Sequence, residues 1–195
     1  MGVGSTVSMK RVVADQFVGV WDCVPNKLCR SIIKDHQSSP FRGAGRSGYR
    51  YNPANKKSID ISVGEENLCD AHIETLSVIK QCLDDYGSIW PDSMDVERFA
   101  IVERFNVQQY LPNGGYYARH SERQGPRSSH RHLVFMVYLN TVTDGGGTAF
   151  PNQDLVVDAV AGRVVIWPSD WTHSHYGIVS PTQEKFIMTG WYSYV

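Results

Sequence analysis

The sequence has no apolar run long enough to cross a bilayer: its longest, 133–139 and 163–167, fall far short of the roughly 20 residues that a transmembrane helix needs. The N-terminus lacks the apolar stretch of a signal peptide, so an intracellular protein without a membrane partner is expected. An excess of charge of either sign is also missing. Nineteen Lys and Arg stand against 20 Asp and Glu, a formal net charge of -1, which gives no general electrostatic case for nucleic acid as a partner. Cysteine is scarce. Cys23, Cys29, Cys69 and Cys82 all lie in the first half, no two in CxxC spacing, and no histidine reads as placed to complete a zinc site with them. They read as reduced thiols, with Cys29, Cys69 and Cys82 where a helix would bury a small apolar residue. Internal repeats, heptads and long linkers are absent too. With 195 residues, 42% of them hydrophobic and 20% charged, the chain fits one domain with one sizeable core.

What is present divides into two textures. Residues 25–37 carry Leu28, Cys29, Ile32 and Ile33 on one helical face with Asn26 as a cap, and 65–86 repeat the spacing through Leu68, Cys69, Ile73, Leu76, Ile79, Cys82 and Leu83 up to Gly87. Between these helices, 39–57 read as a long basic, glycine-containing loop holding Arg42, Arg46, Tyr49, Arg50 and Tyr51. That loop, with 123–129, is expected to overhang a site mouth and to move when substrate binds. From Phe99 onward, Val, Ile, Phe and Tyr runs alternate with glycine or proline turns. The expected strands are 99–110, 116–122, 131–140, 147–150, 155–157, 162–167, 174–179 and 185–194, which suit a jelly roll. The fold class expected is mainly β (α+β): 1–98 as helical support and lid, 99–195 as jelly-roll core.

The chemistry-bearing residues fall in the second texture. On a strand, His120 and Glu122 point to one face while Ser121 points away. A later histidine alongside, with His173 and His175 both available, would complete two imidazoles and a carboxylate on one face of an octahedral ion, leaving the opposite positions open for catalysis. His130 and His132 form another pair, best read as polar residues where a loop enters a strand. Gly43 to Gly48 fits GxGxxG by letter, but no strand of a βαβ unit precedes it and no helix follows, so a dinucleotide site is not expected. Met1-Gly2-Val3-Gly4-Ser5-Thr6 matches the short N-myristoylation pattern, a motif of low specificity.

Taken together, Tyr110-Leu111-Pro112-Asn113-Gly114-Gly115-Tyr116 leading to His120, then Tyr138-Leu139-Asn140, Asp144-Gly145-Gly146-Gly147-Thr148-Ala149-Phe150-Pro151, His175 and Lys185 resemble the 2-oxoglutarate and Fe(II)-dependent oxygenases of the prolyl 4-hydroxylase type. The resemblance covers roughly 99–195. It implies a double-stranded β-helix with iron held by His120, Glu122 and His175, the last chosen over His173 by its ten-residue spacing to Lys185 and its His-Tyr-Gly context. It further implies that Lys185 and the Tyr138 hydroxyl bind the distal carboxylate of 2-oxoglutarate, with Tyr110 beside the metal-bound end and Arg131 and Trp191 on the substrate side. Glu122 departs from the family's usual aspartate. The activity implied is hydroxylation of a peptide or protein side chain, with 2-oxoglutarate and O2 converted to succinate and CO2. The alternatives are the same chemistry on a free amino acid or other small molecule, and a jelly-roll binding module without a metal. The last ligand is followed by Lys185-Phe186-Ile187-Met188-Thr189-Gly190-Trp191 and not by an arginine-rich ending, which favours peptide over alkylated bases.

Overall fold

The computed structural model describes residues 9–47 and 51–195. The myristoylation pattern, and Gly48, Tyr49 and Arg50 of the basic loop, lie outside the described residues.

In chain order the elements are β1 (Lys10–Asp15), β2 (Val18–Asp22), α1 (Asn26–Ser38), β3 (Gly43–Ala44), β4 (Lys56–Lys57), β5 (Ile59–Val63) and α2 (Asp70–Ile89). There follow β6 (Phe99–Ala100), β7 (Phe105–Tyr110), β8 (Gly115–Tyr116), β9 (Arg131–Tyr138), β10 (Thr148–Phe150), β11 (Leu155–Val157), β12 (Arg163–Pro168), β13 (Tyr176–Gly177) and β14 (Lys185–Tyr194). The major sheet runs β1-β2-β12-β9-β14-β7-β5-β3, with β6 added to β14; β11-β10-β13 form a smaller sheet and β4-β8 a two-stranded one. All pairings among the described residues are antiparallel. The outcome is the expected jelly roll braced by helices. The sequence reading, however, placed no strand before Phe99, whereas β2 and β5 carry the major sheet well into the N-terminal half.

Alternation along the central strands builds two apolar layers. On β9, Leu133, Phe135 and Val137 face α1 and α2, while Val134, Met136 and Tyr138 face the smaller sheet. On β14, Phe186, Met188 and Tyr192 join the helical layer and Ile187 the other. α1 starts after Pro25, which is itself the cap position, so Asn26 is the first helical residue and not the cap. Its inward face is Leu28, Cys29, Ile32 and His36. α2 runs through Gly87 to Ile89, three residues past the expected end. Gly87 serves packing there, since a Cβ would lie 2.6 Å from Met94 Cγ, and the helix stops where Trp90 precedes Pro91. No helix among the described residues is long and apolar enough to cross a membrane.

Gly162 fixes how the helical layer joins the sheet. Its carbonyl accepts from the N–H groups of Cys23 and Val24 just before α1, and its own N–H donates to Tyr138 O. Its φ is +82° and a Cβ would stand 2.2 Å from Val24 O. Gly162→Ala should therefore lower unfolding stability by about 2–4 kcal/mol, backbone strain and steric overlap acting together, read as a fall in the urea midpoint at unchanged slope.

Candidate metal centre

His120, Glu122 and His175 converge at the open end between the two sheets, with their ligand atoms all within 4.8 Å of one another. The sequence reading put His120 and Glu122 on one continuous strand. Instead β8 ends at Tyr116, and His120 pairs with His175 through an isolated bridge, His120 N donating to His175 O at 3.0 Å and His175 N to His120 O at 2.8 Å. Glu122 is placed separately, by its N–H donating to Ser169 O at 3.0 Å. Two cross-chain anchors, and not strand periodicity, bring the three together.

Each imidazole is oriented from behind. His120 Nδ1 lies 2.9 Å from Ala118 O and His175 Nδ1 lies 3.0 Å from His173 O. A carbonyl only accepts, so both Nδ1 atoms carry the proton and each Nε2 offers a lone pair to the centre. Those Nε2 atoms stand 3.4 and 3.6 Å from Glu122 Oε1. Three converging acceptors repel unless a cation, or a proton on each imidazole, lies among them. Burial pushes the Glu122 carboxyl up, but contacts with His120 and His175 more than reverse this and hold it well below the usual carboxylate range. Two imidazole nitrogens and one carboxylate oxygen converging on one point are the donor set suited to Fe(II).

The second oxygen of Glu122 belongs to the sheet. Trp191 Nε1 donates to Oε2 at 2.9 Å, and Arg131 lies 3.5 Å from the same oxygen while donating to Glu122 O at 3.2 Å. The Arg131 guanidinium stacks 3.5 Å over the Trp191 ring, and Glu103 holds it from behind through bonds of 2.7, 3.0 and 3.2 Å. Glu103 also accepts from Ser193 at 2.8 Å and faces His130 at 3.2 Å. Glu103 sits in no motif, on the short connection between β6 and β7, so nothing in the sequence marks its role. Glu103→Ala should release Arg131 and loosen Glu122, weakening metal affinity roughly 10-fold or more, with Glu103→Gln recovering part of the loss in a Co(II) titration.

The remaining histidines find structural partners. His132 bonds Ser93 O at 2.8 Å and Tyr194 Oη at 3.1 Å. His173, expected at the surface or near the ligands, is buried: its Nε2 contacts Gln16 O at 2.9 Å, and its carbonyl orients His175. Gln16 and Phe17 form the two-residue β1-β2 turn with φ of 45° and 64°, a conformation that costs energy without glycine or asparagine. No local sequence pattern signals this clamp. Tyr116, whose ring stacks 3.7 Å from that of His120, was likewise missed as a site residue.

Lys185 opens β14 on the inner face. It is 5% exposed, its Nζ lies 4.9 Å from the Tyr110 ring centre, and no acidic group or hydrogen-bond acceptor pairs with it among the described residues. Burial pushes its ammonium down to about 8. A buried cation without a partner is costly, and a carboxylate is the ligand that relieves it. The donor set and this lysine thus fit Fe(II) and 2-oxoglutarate. Tyr110 donates to Gln108 at 2.6 Å, so its hydroxyl points into the protein and its ring backs Lys185. The Tyr138 hydroxyl lies 2.6 Å from Thr148 Oγ1 and 3.1 Å from Val157 O. The expected overhanging loops are partly tied down: β3 and β4 join sheets, Ser47 Oγ meets Tyr116 Oη at 2.7 Å, Lys56 pairs with Asp60 at 2.6 Å, and Arg123 is bonded to Asp170.

A jelly roll with two histidines, a carboxylate and a buried unpaired lysine at its open end defines the non-haem iron oxygenase class. Residues 105–193, which contain His120, Glu122, Tyr138, His175 and Lys185, match the model of the 2OG-Fe(II) oxygenase superfamily. The match supports a 2-oxoglutarate-dependent dioxygenase that takes Fe(II), 2-oxoglutarate and O2. No curated protein sequence matches the chain. Solved structures share its fold. The viral collagen prolyl hydroxylase of Paramecium Bursaria Chlorella virus-1, in its 2OG complex, has a TM-score of 0.70 at 16% identity over 93% of this chain and 98% of that one. A Pseudomonas putida prolyl-4-hydroxylase gives 0.68 at 17% identity over 97% and 94%. A Trichoplax adhaerens prolyl hydroxylase in complex with a hypoxia inducible factor oxygen degradation domain peptide fragment gives 0.69 at 18% identity over 92% and 84%.

Proposed function

We propose that this chain hydroxylates a peptidyl side chain in the manner of a prolyl 4-hydroxylase, within a single domain spanning 1–195. The observation that carries the cosubstrate assignment is the unpaired ammonium of Lys185 buried beside the His120, Glu122 and His175 set. The peptide reading is supported by fold neighbours that are prolyl hydroxylases, one of them holding a peptide.

In this reading His120, Glu122 and His175 would hold the ion. Lys185 would pair with the distal carboxylate of 2-oxoglutarate, and the Tyr138 hydroxyl, now bonded to Thr148 and Val157 O, would donate a second bond to it. The Tyr110 ring walls that end. Bound Fe(II) and 2-oxoglutarate supply oxygen activation, so that 2-oxoglutarate and O2 become succinate and CO2 as a substrate C–H becomes C–OH. Phe150 and Trp167, packed 5.5 and 5.0 Å from the His175 ring, exclude water from the inner wall. Arg131 and Trp191 fix Glu122 and face the substrate side.

The test is succinate formation with and without proline-containing peptides, with the product located by mass spectrometry. Peptide-dependent turnover and a mass gain of one oxygen on the peptide are expected. Turnover stimulated only by a free amino acid would replace the peptide assignment, and no turnover with either would return the chain to a binding role.

A further inference from the structure

The helical layer holds a second convergence of metal-ligating groups, remote in sequence from the oxygenase centre. Cys69 caps the N-terminus of α2, His72 lies one turn in, and Asp35 sits near the end of α1; one ligand atom from each lies within 4.8 Å of the others. The sequence reading found no histidine placed to complete a zinc site with the cysteines and put Cys69 inside a helix. The structure instead makes Cys69 the partly exposed cap and turns its thiol onto an imidazole.

The bonding of these three groups is incomplete. His72 Nδ1 is approached by two donors at once, the Cys69 N–H at 3.3 Å and the Cys69 thiol at 3.2 Å. It therefore acts as the acceptor, which puts the ring proton on Nε2. That atom is buried without a partner in a residue of 0% exposure. The capping bond alone is a job that Glu or Gln does from this position with a solvated side chain, so capping does not account for a fully buried imidazole. The Asp35 carboxylate, only partly buried, has no hydrogen-bond or ion-pair partner among the described residues. The chemistry is a soft thiolate, an imidazole nitrogen and a carboxylate oxygen on one point.

We infer that Asp35, Cys69 and His72 form a binding site for a thiophilic divalent cation of the zinc class, tying α1 to the start of α2. The ion takes the place of the proton shared between sulfur and nitrogen. The Cys69 S–H bond breaks and its proton leaves to solvent, metal bonds form to Cys69 Sγ and His72 Nδ1, and the Cys69 N–H gives up its bond to Nδ1, whose one lone pair the metal takes. In a tetrahedral site the donors stand roughly 3.3–3.8 Å apart. Cys69 Sγ and His72 Nδ1, 3.2 Å apart, need only open slightly to reach this spacing, and Asp35 closes the remaining gap by rotating an unpaired side chain. Burial pushes His72 below the ordinary histidine range, which keeps its lone pair available at neutral pH.

Co(II) titration of the full-length apo protein tests the site, because only a thiolate ligand gives intense near-ultraviolet charge transfer to cobalt and the oxygenase centre has no sulfur. A saturable charge-transfer band is expected in the wild type. Cys69→Ser should abolish it while preserving the helix cap and the sulfur-free binding at the oxygenase centre. Asp35→Asn should keep the band but require several-fold more cobalt. Zn2+ should raise the melting temperature of the His175→Ala protein, with the rise lost when Cys69→Ser is added. A wild type that shows no band overturns the inference. So does a band that survives Cys69→Ser and disappears instead in Cys82→Ala, since Cys23 and Cys82 lie 3.4 Å apart and are the alternative sulfur source.

Discussion

His175→Ala is expected to lose essentially all 2-oxoglutarate turnover and most metal affinity while its thermal unfolding stays cooperative. His120→Ala and Glu122→Ala should do the same. The three side chains stand at the rim of the jelly roll, and the backbone bridge between residues 120 and 175 survives their truncation. The same experiment on His173 separates ligand from scaffold. His173 holds the β1-β2 turn through its Nε2 and offers only its backbone carbonyl to His175. His173→Ala should therefore weaken metal binding by roughly 10- to 100-fold without abolishing it, and should also lower the melting temperature, because it leaves Gln16 O unpaired and opens a gap against the Phe17 ring. Isothermal titration with Fe(II) under anaerobic conditions, beside differential scanning calorimetry, gives both numbers. Full loss of metal in His173→Ala with retention in His175→Ala would invert the ligand assignment.

Lys185→Met should have opposite effects on function and stability. Truncating one partner of a buried charged pair costs about 2–5 kcal/mol, so the 2-oxoglutarate requirement should rise from roughly thirty-fold to several thousand-fold, with Fe(II) affinity unchanged. The cosubstrate-free protein should become more stable, since an uncompensated buried ammonium is replaced by an apolar chain of similar length. The pH dependence follows from the depressed value. The folded protein releases the Lys185 proton near 8 and the unfolded chain near 10.5, so between these values the unfolded state binds more protons and stability rises with pH. The penalty is fully present below about 8 and is relieved as pH climbs toward 10.5. Affinity for 2-oxoglutarate should fall over the same rise, as the ammonium is lost. Denaturation midpoints from pH 7 to pH 10.5 should show the slope in the wild type and not in Lys185→Met; equal slopes would place the titration elsewhere.

Much of the second half was legible because its local signals agree. β14 coincides with the expected strand 185–194, and Lys185 at its head was identified through its spacing to His175. The elements that were missed are short or were obscured by neighbours. β2 is an almost wholly buried run of five residues with no alternation to read, and β5 is a short strand next to a loop rich in turn formers. Gly87 looked like a helix stop because its reason for being glycine, the contact with Met94, is tertiary. The convergence of His120, Glu122 and His175 was legible from residue type and spacing, but what orients them was not. The carbonyls of Ala118 and His173, and the carboxylate of Glu103, are ordinary groups whose roles exist only after the chain closes.

The two-sided character of β14 has a consequence for assembly. Phe186, Met188 and Tyr192 fill the helical layer while Lys185 and Ile187 face the other way, and the strand is held between β9 and β7, with Lys185 opposite Tyr110. A slip of one residue would exchange the faces. It would drive the ammonium into the apolar layer beneath α1 and α2, against the His36 ring, and bring a phenyl ring to the place that Lys185 holds. Apolar residues alone would mark such a slip weakly, since Phe186 and Ile187 are near equals in hydrophobicity. The single charge among them makes the wrong pairing expensive, so the residue proposed to pair with the cosubstrate in the finished protein also favours the correct strand alignment while the protein is being made.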